Sequence, residues 1–550
     1  MAAEGYARVM NQVGVINVTS GPGGINALNG VFGAWTDSIP MLVISGQMKR
    51  ETLLRSYGLQ GKLRQLGDQE VDIVPMVEGI TKYAHVITDP SSIRFHLDKA
   101  LFLASHGRPG PCWLDIPVDV QAAMVDPASM PEYDAENDTL HWNVPALRAQ
   151  AADVIRRIIE AKRPVLLAGT GVRLAGAVEP FRRLAEKLQI PITTAWTHDL
   201  VPSDHPLLCG RQGTIGTRPG NFTVQNADLV VIIGSRMCIR QVSYNWESFA
   251  RHAFTVQVDV DAAELDKPTF RPQMPVHADA RLFIDLMIES VPKDYNSPPC
   301  HHQWLSWCRR LLERYPSVLP RHRDAAFGTL NQYHFVELLF AAARQGDIFV
   351  CGDATACITP FQAGVLKDGQ RLFSNSGSAS MGYDLPAAIG ASIAAPDRRV
   401  ICLAGDGSLQ MNIQELATVA HHRLSLKLFV LSNGGYHSIR ATQRNFFGLL
   451  VGEGPESGVT FPDFVQVARG YGLPARLIDT ERASEEIREI LDTPGPQVAV
   501  VELDRAQSFE PKLSSKRLPD GRMVTAPLED MAPFLDRDEF LSNMLVPAEE

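Results

Sequence analysis

The chain has 550 residues, of which 45% are hydrophobic and 21% are charged, a composition typical of a folded protein of about three domains. Its formal net charge of -10 argues against nucleic acid as a main partner and offers no basic surface to a membrane. No apolar run is long enough to span a bilayer, and we see no export signal. The eight cysteines are scattered without a C-x-x-C pair, which favours reduced thiols in a cytoplasm over disulfides or zinc.

The first block, residues 1–125, has the pattern of an α/β domain. Apolar runs over 13–18, 41–45 and 112–116 predict buried strands. The segment TSGPGGINALNG turns from the first strand into a helix, and Gln47 follows the second strand. The next segment is polar and aperiodic with several prolines, and a linker is therefore predicted over 126–145.

Residues 146–291 form a second predicted α/β block. Its strands are expected over 165–168, 229–233 and 255–260, and the first two end in glycine turns. Lone glycine turns of this kind are weak evidence for a dinucleotide site. We expect a second linker over 292–329, a third α/β domain over 330–508 and a C-terminal tail or lid over 509–550.

The third block contains the stretch most indicative of chemistry, residues 400–439. An apolar run over 400–404 predicts a strand that ends in the sequence GDG, and a helical periodicity follows. A second run over 426–431 predicts the next strand, which ends in SNGG. Parallel strands joined by a helix end on the same edge of a sheet, so Asp406 and Asn433 are expected side by side.

These two side chains suit a hard cation. A carboxylate, an amide oxygen and free backbone carbonyls form an oxygen cage for Mg²⁺, which leaves room for phosphate oxygens. The glycines let the backbone approach a diphosphate, and a helix that starts after Gly407 favours its negative charge. A surface turn is the ordinary interpretation of GDG alone, but the strand context and the polar end of the next strand argue against it.

With this spacing, GDG and the later asparagine resemble the thiamine diphosphate motif. The segments TSGPGGINALNG, DSIPMLVISGQ, GRPGPCWLDIPVDV and SASMGYDLPAAIGA extend the likeness, in order and spacing, over almost the whole chain. The chain therefore resembles the acetolactate synthase branch of thiamine diphosphate enzymes. The resemblance implies an α/β fold of three doubly wound parallel-sheet domains, which are pyrimidine-binding, middle and diphosphate-binding. It also implies homodimers or homotetramers with active sites between two chains.

The resemblance assigns residues by position. It implies Mg²⁺ ligation by Asp406, Asn433 and the Gly435 carbonyl, and it makes Met381 the wedge that bends the cofactor. The further candidates around thiamine diphosphate are Thr355, Ala379, Gly405, Gly407, Ser408, Gly435 and Tyr436. The candidate catalytic residues are Met381, Gln47 and His437. Taken alone, Met381 would be interpreted as a core methionine, and an ordinary hydrogen-bonded loop histidine remains an alternative for His437.

Enzymes of this branch often carry a flavin without a redox role in the middle domain. The matching positions are Arg108, Gly169, Gly171, Gly234, Arg236, Arg240, Asp259 and Asp279. The segment GSRMCIRQVSYNWESFAR keeps both arginines of the pattern, whereas Cys238 and Ile239 stand where the synthases usually carry acids. We expect FAD from this resemblance.

The resemblance breaks at the start of the sequence. These enzymes have a glutamate shortly before the segment that matches MAAEGYAR, where it hydrogen-bonds the pyrimidine and drives activation of the cofactor. The sequence begins after that position, and Glu4, which lies further along the same helix, is not expected to replace it. We expect about 40–60 preceding residues, with a first strand and helix, to be missing through a misassigned start or a truncation.

The second break concerns the substrate pocket. Acetolactate synthases usually carry a tryptophan at the position of Thr442 and a histidine at that of Ala356. A threonine in place of the tryptophan predicts a larger acceptor pocket. The tail from Phe509 resembles the subgroup that adds an acetyl unit from pyruvate to a keto sugar.

These patterns predict a thiamine diphosphate- and Mg²⁺-dependent carboligase of the acetolactate synthase type. It would decarboxylate pyruvate and add the two-carbon unit to a second 2-keto acid or to a keto sugar. One alternative is a non-catalytic cofactor-binding protein that lacks the activating glutamate. Another is a pyruvate oxidase or decarboxylase.

Overall fold

The computed structural model describes residues 1–194, 198–324, 326, 328–517 and 520–548. Its strands form three parallel sheets, one for each predicted domain, and one small antiparallel hairpin. Helices connect successive strands within each sheet. The predicted α/β class with three parallel-sheet domains is therefore confirmed. Within the described ranges, no helix is both long enough and apolar enough to cross a membrane.

The N-terminal sheet has four strands in the order β1-β2-β4-β3. Its strands are β1 (Gly14–Val18), β2 (Met41–Gln47), β3 (Tyr83–Val86) and β4 (Pro111–Pro117). Its helices are α1 (Ala2–Met10), α2 (Pro22–Thr36), α3 (Ile73–Val77), α4 (Ile93–Ser105) and α5 (Val118–Gln121). The central strands β2 and β4 are buried on both faces for most of their length, which explains their nearly unbroken apolar runs.

The middle sheet has six strands in the order β10-β9-β8-β5-β6-β7. Its strands are β5 (Pro164–Ala168), β6 (Ile192–Thr194), β7 (Leu208–Arg211), β8 (Leu229–Ile233), β9 (Phe254–Asp259) and β10 (Met274–His277). Its helices are α6 (Val144–Glu160), α7 (Gly171–Leu174), α8 (Val178–Leu188), α9 (Arg218–Gln225), α10 (Ile239–Val242), α11 (Ala280–Ser290) and α12 (Pro299–Arg314). The neighbouring strands β5 and β8 are wholly buried and form the centre of this domain.

The C-terminal sheet also has six strands, in the order β12-β11-β13-β14-β16-β15. Its strands are β11 (Ile348–Cys351), β12 (Arg371–Phe373), β13 (Val400–Gly405), β14 (Leu426–Ser432), β15 (Ala475–Leu477) and β16 (Gln497–Glu502). Its helices are α13 (Gln332–Ala342), α14 (Thr355–Ala363), α15 (Asp384–Ala394), α16 (Asp406–Leu409), α17 (Leu416–His422), α18 (His437–Phe446), α19 (Phe464–Gly470) and α20 (Ala483–Asp492). The strands β13 and β14 pair in parallel over the stretch that the sequence singles out.

The helix predicted between β13 and β14 is interrupted. The chain forms the short α16, a 3-10 segment and then α17, because Asn412 leaves the helical conformation at φ -139° and ψ 31°. The side chain of Asn412 donates a hydrogen bond of 2.8 Å to the carbonyl of Gly382, on the loop before α15. The contact joins residues far apart in the sequence, so the local apolar periodicity contains no sign of the kink.

The predicted linker over 292–329 is not extended along its whole length. It contains the four-turn helix α12, which begins with a proline in its first turn. Trp304 and Cys308 on this helix are buried in the same apolar cluster as Val165 of β5. The helix therefore belongs to the packing of the middle domain.

The tail ends in the hairpin β17 (Ser515–Arg517) and β18 (Met523–Thr525) and the helix α21 (Arg537–Ser542). The tail lies against the middle domain, where Phe540 packs on Phe222 and Leu311. Buried polar side chains of α9 bind its backbone: Asn221 Nδ2, for example, donates to the carbonyl of Leu528 at 2.8 Å. A lid function for 509–550 remains a prediction.

Candidate functional site

The carboxyl ends of β11 and β13 lie where the strand order of the C-terminal sheet reverses. From β11 the chain crosses to β12 on one side, and from β13 it crosses to β14 on the other. Open α/β sheets bind ligands in the crevice at such a point. Two predicted site residues, Thr355 and Asp406, begin the helices α14 and α16 at this crevice.

Asp406 is hydrogen-bonded to the turn that follows β14, residues 433–436, called the 433–436 turn below. Its Oδ2 accepts from the backbone N–H of Asn433 at 3.1 Å and of Gly435 at 3.2 Å. Its Oδ1 accepts from the N–H of Gly407 at 2.8 Å. Burial raises the pKa of Asp406 to about 6, although these backbone donors oppose the shift. The structure thus brings the predicted residues Asp406 and Asn433 together.

The oxygen atoms around this turn fit a hard cation. Asn433 Oδ1 is buried and has no hydrogen-bond partner among the described residues. Leaving such an acceptor unpaired costs roughly 1–3 kcal/mol, and a bound cation would remove that cost. Across the described residues, no group of three or more His, Cys, Asp or Glu side chains could hold a metal ion. The family resemblance assigns the cation to Asp406, the Asn433 amide oxygen and the Gly435 carbonyl, an oxygen set that suits Mg²⁺.

Glycines in the motif are needed for close packing. A Cβ on Gly407 would lie 2.2 Å from Cε1 of Tyr436, so the tyrosine ring packs directly on the glycine backbone. Gly435 has φ +147°, and a Cβ there would lie 1.9 Å from the carbonyl oxygen of Glu453. Gly405 ends β13 in extended conformation and leads straight into Asp406.

Thr355 and His437 meet on the same side of the crevice. The Thr355 hydroxyl and His437 Nδ1 are 2.9 Å apart, and the His437 ring stacks on Phe509 with centroids 4.4 Å apart. Burial and the nearby charge of Arg440 lower the pKa of His437 to about 4, so the ring is neutral at pH 7. His437 therefore links the crevice to the first residue of the tail.

Met381 lies in a turn that reaches the crevice through its neighbours. The N–H of Gly382 donates to the Ser408 hydroxyl at 2.8 Å, and that hydroxyl donates to Asp384 Oδ2 at 2.6 Å. Ala379 holds the turn with φ +52°. Met381 itself lines a cavity of about 600 Å³ between the N-terminal and C-terminal domains.

Gln47 ends β2 and is buried. Its Nε2 donates to Asp115 Oδ2 at 2.9 Å and to the carbonyl of Val71 at 2.8 Å, and its Oε1 accepts from the N–H of Met48 at 3.0 Å. Asp115 also accepts from the Ser45 hydroxyl at 2.5 Å. Burial raises the pKa of Asp115 to about 6. The Gln47 amide is therefore oriented by hydrogen bonds within its own domain.

Glu4 forms an ion pair with Arg8. Its Oε1 accepts from Arg8 Nη2 at 2.8 Å, and Arg8 also contacts Asp37 at 2.6 Å. The carboxyl is fully buried beside Gly33 of α2, where a Cβ would lie 3.1 Å from Oε2, and burial raises the pKa of Glu4. Among the described residues, Glu4 forms its hydrogen bonds with Arg8 and none with the crevice residues named above. The structure therefore does not support Glu4 as a replacement for the activating glutamate.

The expected flavin positions gather around a cavity of about 400 Å³, called the middle-domain cavity below. Seven of the eight residues line it, namely Arg108, Gly169, Gly171, Gly234, Arg236, Asp259 and Asp279. Arg240 does not line this cavity, although its carbonyl accepts from the N–H of Thr214 at 2.8 Å. Residues of all three domains contribute to the walls, among them Arg8 and Arg371.

The glycines of this cavity allow two turns to pack together. A Cβ on Gly169 would lie 2.3 Å from the carbonyl oxygen of Gly234, and one on Gly171 would lie 2.7 Å from the Gly234 Cα. Gly234 has φ +60°, and its carbonyl accepts from the N–H of Gly171 at 2.9 Å. The turns after β5 and β8 therefore form a tight floor that larger residues would disrupt.

Ion pairs across domain boundaries hold the cavity walls. Arg108 Nη1 of the N-terminal domain contacts Asp261 at 2.8 Å and Glu264 at 2.9 Å in the middle domain. Arg236 of the middle domain lies 3.6 Å from Asp37 of the N-terminal domain. Five arginines and four aspartates line the cavity, so it offers guanidinium donors for phosphate oxygens next to carboxylate acceptors.

A triad with a buried aspartate and two partly buried arginines joins the middle and C-terminal domains beside this cavity. Asp199 Oδ1 contacts Arg173 at 3.1 Å, and its Oδ2 contacts Arg371 Nε at 2.5 Å. Burial would raise the pKa of Asp199, but the two guanidinium groups outweigh it and hold the pKa below its usual value. The sequence contains no local sign of this triad, because its members come from three separate segments.

Two buried residues that contact the 433–436 turn are not predicted from the sequence. Arg440 and Glu453 form an ion pair of 2.5 Å, and each side chain is only 2% exposed. A basic residue four positions after a predicted turn is too common to single out. The glycines at 434–435 and on either side of Glu453 are the sequence signal that could have indicated a close backbone approach.

Comparison with known proteins agrees with this architecture. Residues 1–74 match "Thiamine pyrophosphate enzyme, N-terminal TPP binding domain", residues 151–287 match "Thiamine pyrophosphate enzyme, central domain", and residues 354–501 match "Thiamine pyrophosphate enzyme, C-terminal TPP binding domain". Thiamine pyrophosphate is another name for thiamine diphosphate. The matches fall in the three parallel-sheet domains in the expected order.

Curated relatives extend the match over nearly the whole chain. The acetolactate synthase large subunit of Cyanidium caldarium is 31% identical over 510 residues, which cover 90% of this chain and 82% of that protein. Acetolactate synthase isozyme 1 large subunit of Escherichia coli (strain K12) is 31% identical, with coverage of 92% and 86%. Acetolactate synthase 1, chloroplastic, of Zea mays is 32% identical, with coverage of 94% and 79%. The chain therefore belongs to the acetolactate synthase-like family of thiamine diphosphate-dependent enzymes.

Proposed function

We propose that this enzyme is a Mg²⁺-dependent carboligase that decarboxylates pyruvate and joins the remaining two-carbon unit to a second carbonyl compound. The observation that carries the proposal is the unpartnered Asn433 Oδ1 beside the Asp406 carboxylate, at the point where the C-terminal sheet reverses. The relatives named above are acetolactate synthases, which supports pyruvate as the donor. One pyruvate and one acceptor would give one product and one CO₂.

The residues of the crevice have different proposed roles in binding. Asp406, Asn433 and the Gly435 carbonyl would hold the cation, and the cation would neutralise the diphosphate. Thr355 and Ser408 supply hydroxyls at the starts of α14 and α16. When bound, thiamine diphosphate supplies the electron sink that decarboxylation of a 2-keto acid requires. The buried surroundings of Asp406 and His437 exclude water from this part of the site.

The acceptor is proposed to be either a second 2-keto acid or a keto sugar. Thr442 lies on α18, five residues after His437, and its side chain is exposed. A small residue here leaves space that a tryptophan would fill. Thr442→Trp should therefore shift the product ratio towards pyruvate as acceptor when pyruvate competes with a larger ketone. Unchanged product ratios would contradict this role, and Gln466→Trp, at an exposed position of α19, is a control for the substitution itself.

We further propose FAD, without a redox role, as the ligand of the middle-domain cavity. The cavity offers arginines for a pyrophosphate and the buried Asp259 at the end of β9 for a ribose hydroxyl. Burial raises the pKa of Asp259 to about 6, and Arg108 opposes the shift. Flavin absorbance that stays with the purified protein through gel filtration would support the proposal, and a protein that takes up no added FAD would contradict it.

The enzyme is also proposed to be a homodimer or homotetramer. Ile25, Phe32 and Trp35 lie on one face of α2 and are 42%, 42% and 37% exposed, respectively. A second apolar group follows α18, where Phe447 and Leu449 are 74% and 66% exposed. Light scattering should give at least twice the chain mass. Phe32→Glu should lower that mass, and a wild-type monomer would contradict the proposal.

A cytoplasmic location fits the cysteine chemistry. All eight cysteines are free thiols, and six of them are buried without any disulfide. Free thiols are usual in a reducing compartment. Cell fractionation with an antibody to the chain would test this location directly.

Proton exchange at the reactive carbon of the cofactor separates catalysis from simple binding. With saturating Mg²⁺ and thiamine diphosphate in deuterium oxide, the carboligase should exchange the C2 proton of the cofactor much faster than free cofactor does. Exchange at the rate of free cofactor, with binding confirmed by calorimetry, would support the non-catalytic binding protein. Bleaching of a bound flavin by pyruvate would instead support the oxidase.

A further inference from the structure

The guanidinium of Arg440 is enclosed by the 433–436 turn. Arg440 is a residue of α18, and its side chain is 2% exposed. Its Nη1 and Nη2 each lie 3.3 Å from the carbonyl oxygen of Asn433, and Nη2 donates to the carbonyl of Gly434 at 3.0 Å. Its Nε donates to Glu453 Oε2 at 2.5 Å. Every nitrogen of the guanidinium therefore has a partner, and two of those partners are backbone carbonyls of the turn.

Glu453 fastens a second loop onto the same turn. Its carbonyl accepts from the N–H of Tyr436 at 2.8 Å, and its own N–H donates to the Ser457 hydroxyl at 2.8 Å. A Cβ on Gly435 would lie 1.9 Å from the Glu453 carbonyl oxygen and 2.6 Å from Arg440 Nη2. The turn is thus pressed between the loop that carries Glu453 and the guanidinium.

Stability alone does not account for this ion pair. The desolvation of two buried charges largely cancels their attraction, and apolar residues of similar size are often as stabilising. Apolar residues, however, could not hold the carbonyls of Asn433 and Gly434 in fixed directions. An arginine can, because its planar group donates several hydrogen bonds in a rigid pattern.

We propose that Arg440 and Glu453 are a positioning pair for the proposed cation site. Arg440 binds the Asn433 and Gly434 carbonyls, so the backbone that carries the Asn433 side chain stays fixed on Asp406 before any cation arrives. Glu453 neutralises the guanidinium, so its positive charge does not repel the cation. The inference rests on the proposed function, because it assumes that this turn binds Mg²⁺.

Substitution of Glu453 and substitution of Arg440 should weaken Mg²⁺ binding for different physical reasons. Glu453→Gln leaves a buried positive charge near the cation site, which should weaken Mg²⁺ binding through repulsion. Arg440→Lys keeps the charge but loses the rigid set of donors, which should weaken binding through misplacement of the turn. The double change Arg440→Met with Glu453→Gln restores neutrality without the hydrogen bonds. It should bind Mg²⁺ more tightly than Glu453→Gln alone but less tightly than the wild type.

A second buried pair in the same domain provides a matched control. Arg399 and Asp347 form an ion pair of 2.7 Å with side chains 3% and 1% exposed. They lie at the amino ends of β13 and β11, at the opposite edge of the sheet from the crevice. Arg399→Lys therefore tests the loss of a buried arginine pair without a change at the 433–436 turn.

The experiment is calorimetric titration of Mg²⁺ into the full chain with saturating thiamine diphosphate, with thermal unfolding of each variant measured in EDTA. We expect Glu453→Gln and Arg440→Lys to weaken Mg²⁺ affinity by about tenfold, equal to about 1.4 kcal/mol. Arg399→Lys should lower the unfolding temperature but change Mg²⁺ affinity less than about twofold, or about 0.4 kcal/mol. Folded Glu453→Gln and Arg440→Lys proteins with wild-type Mg²⁺ affinity would overturn the positioning role. A wild-type protein that binds no Mg²⁺ would instead overturn the proposed function, and the inference with it.

Discussion

The 433–436 turn is held by its own domain, whereas the middle-domain cavity depends on contacts among three domains. Asp406 and Arg440 fix the turn through hydrogen bonds within the C-terminal domain. The cavity walls are instead joined by pairs such as Arg108 with Asp261 and Arg236 with Asp37, which cross domain boundaries. A site within one sheet should tolerate small domain movements, and a site between domains should not.

This difference suggests that the two sites can be lost independently. A change at the 433–436 turn should abolish cation and thiamine diphosphate binding while any flavin stays bound. A change at the domain junction should affect the flavin and the stability of the chain first. The predictions below test this separation.

The largest effect is expected at the triad between the middle and C-terminal domains. Asp199→Asn would leave Arg173 and Arg371, which are 20% and 12% exposed, without their buried counter-charge, which should cost about 3 kcal/mol of unfolding free energy. Urea unfolding followed by fluorescence would measure it. Asp368→Asn is the control, because Asp368 is 62% exposed in its pair with Arg182 and should cost less than about 1 kcal/mol. Equal losses in both variants would show that the triad does not hold the junction.

The next effect concerns the cation. Asp406→Asn removes the carboxylate from the proposed ligand set and should weaken Mg²⁺-dependent binding of thiamine diphosphate at least about 100-fold, or about 2.8 kcal/mol. Calorimetry with both ligands measures the change. Flavin content should stay at the wild-type level in the same preparation. Joint loss of both ligands would contradict the independence of the two sites.

The central strand β4 of the N-terminal sheet provides a pH-dependent comparison. Asp115 has a pKa of about 6 in the folded chain, above its ordinary value of 3.8, because it is buried. The folded state therefore holds the proton more tightly, and its contribution to stability is lost as pH rises from about 4 to about 6. Asp115→Asn should remove up to about 3 kcal/mol of this pH dependence.

Unfolding of the wild type and of Asp115→Asn at several pH values would measure that slope. The stability of the variant relative to the wild type should increase from pH 4 to pH 7. Parallel stability curves over that range would show that Asp115 is ionised in both states. Asp119→Asn is a suitable control because Asp119 lies at the surface, in an ion pair with Arg50.

The smallest expected effect is on flavin affinity. Arg108→Ala removes one arginine from the cavity wall and should weaken FAD binding about tenfold, or about 1.4 kcal/mol, while Mg²⁺ affinity is unchanged. Flavin fluorescence titration measures the first quantity and calorimetry the second. Arg148→Ala is the matched control, since its pair with Glu289 is exposed and Arg148 does not line the cavity. Equal FAD affinity in wild type and Arg108→Ala would remove Arg108 from the proposed site.

The sequence was sufficient to predict elements that are determined by residues close together in the chain. The strands β13 and β14 start where predicted and end one residue later than predicted, because both are buried apolar runs that end at polar residues. The meeting of Asp406 with the 433–436 turn also followed from the geometry of parallel strands. The placement of the expected flavin positions around one cavity came from the family resemblance rather than from periodicity.

Features that depend on distant contacts could not be predicted. The break at Asn412 is stabilised by a hydrogen bond to the distant Gly382. The helix α12 was predicted as part of a linker because the strand on which its buried face packs is distant in the sequence. The roles of Arg440 and Asp199 are equally hidden, since an arginine or aspartate in a polar stretch is ordinarily exposed. The roles of such residues can be recognised only when the partners that enclose them are known.

Carbon-13 labelled pyruvate would distinguish the carboligase from the alternatives. The protein would be loaded with Mg²⁺ and thiamine diphosphate and given pyruvate alone or with a larger ketone, with products identified by NMR. We expect labelled CO₂ and a product in which the two-carbon unit of pyruvate is bonded to the carbonyl carbon of the acceptor. No CO₂ release by protein with both ligands bound, or release of acetaldehyde or acetate without a new carbon–carbon bond, would contradict the proposed function.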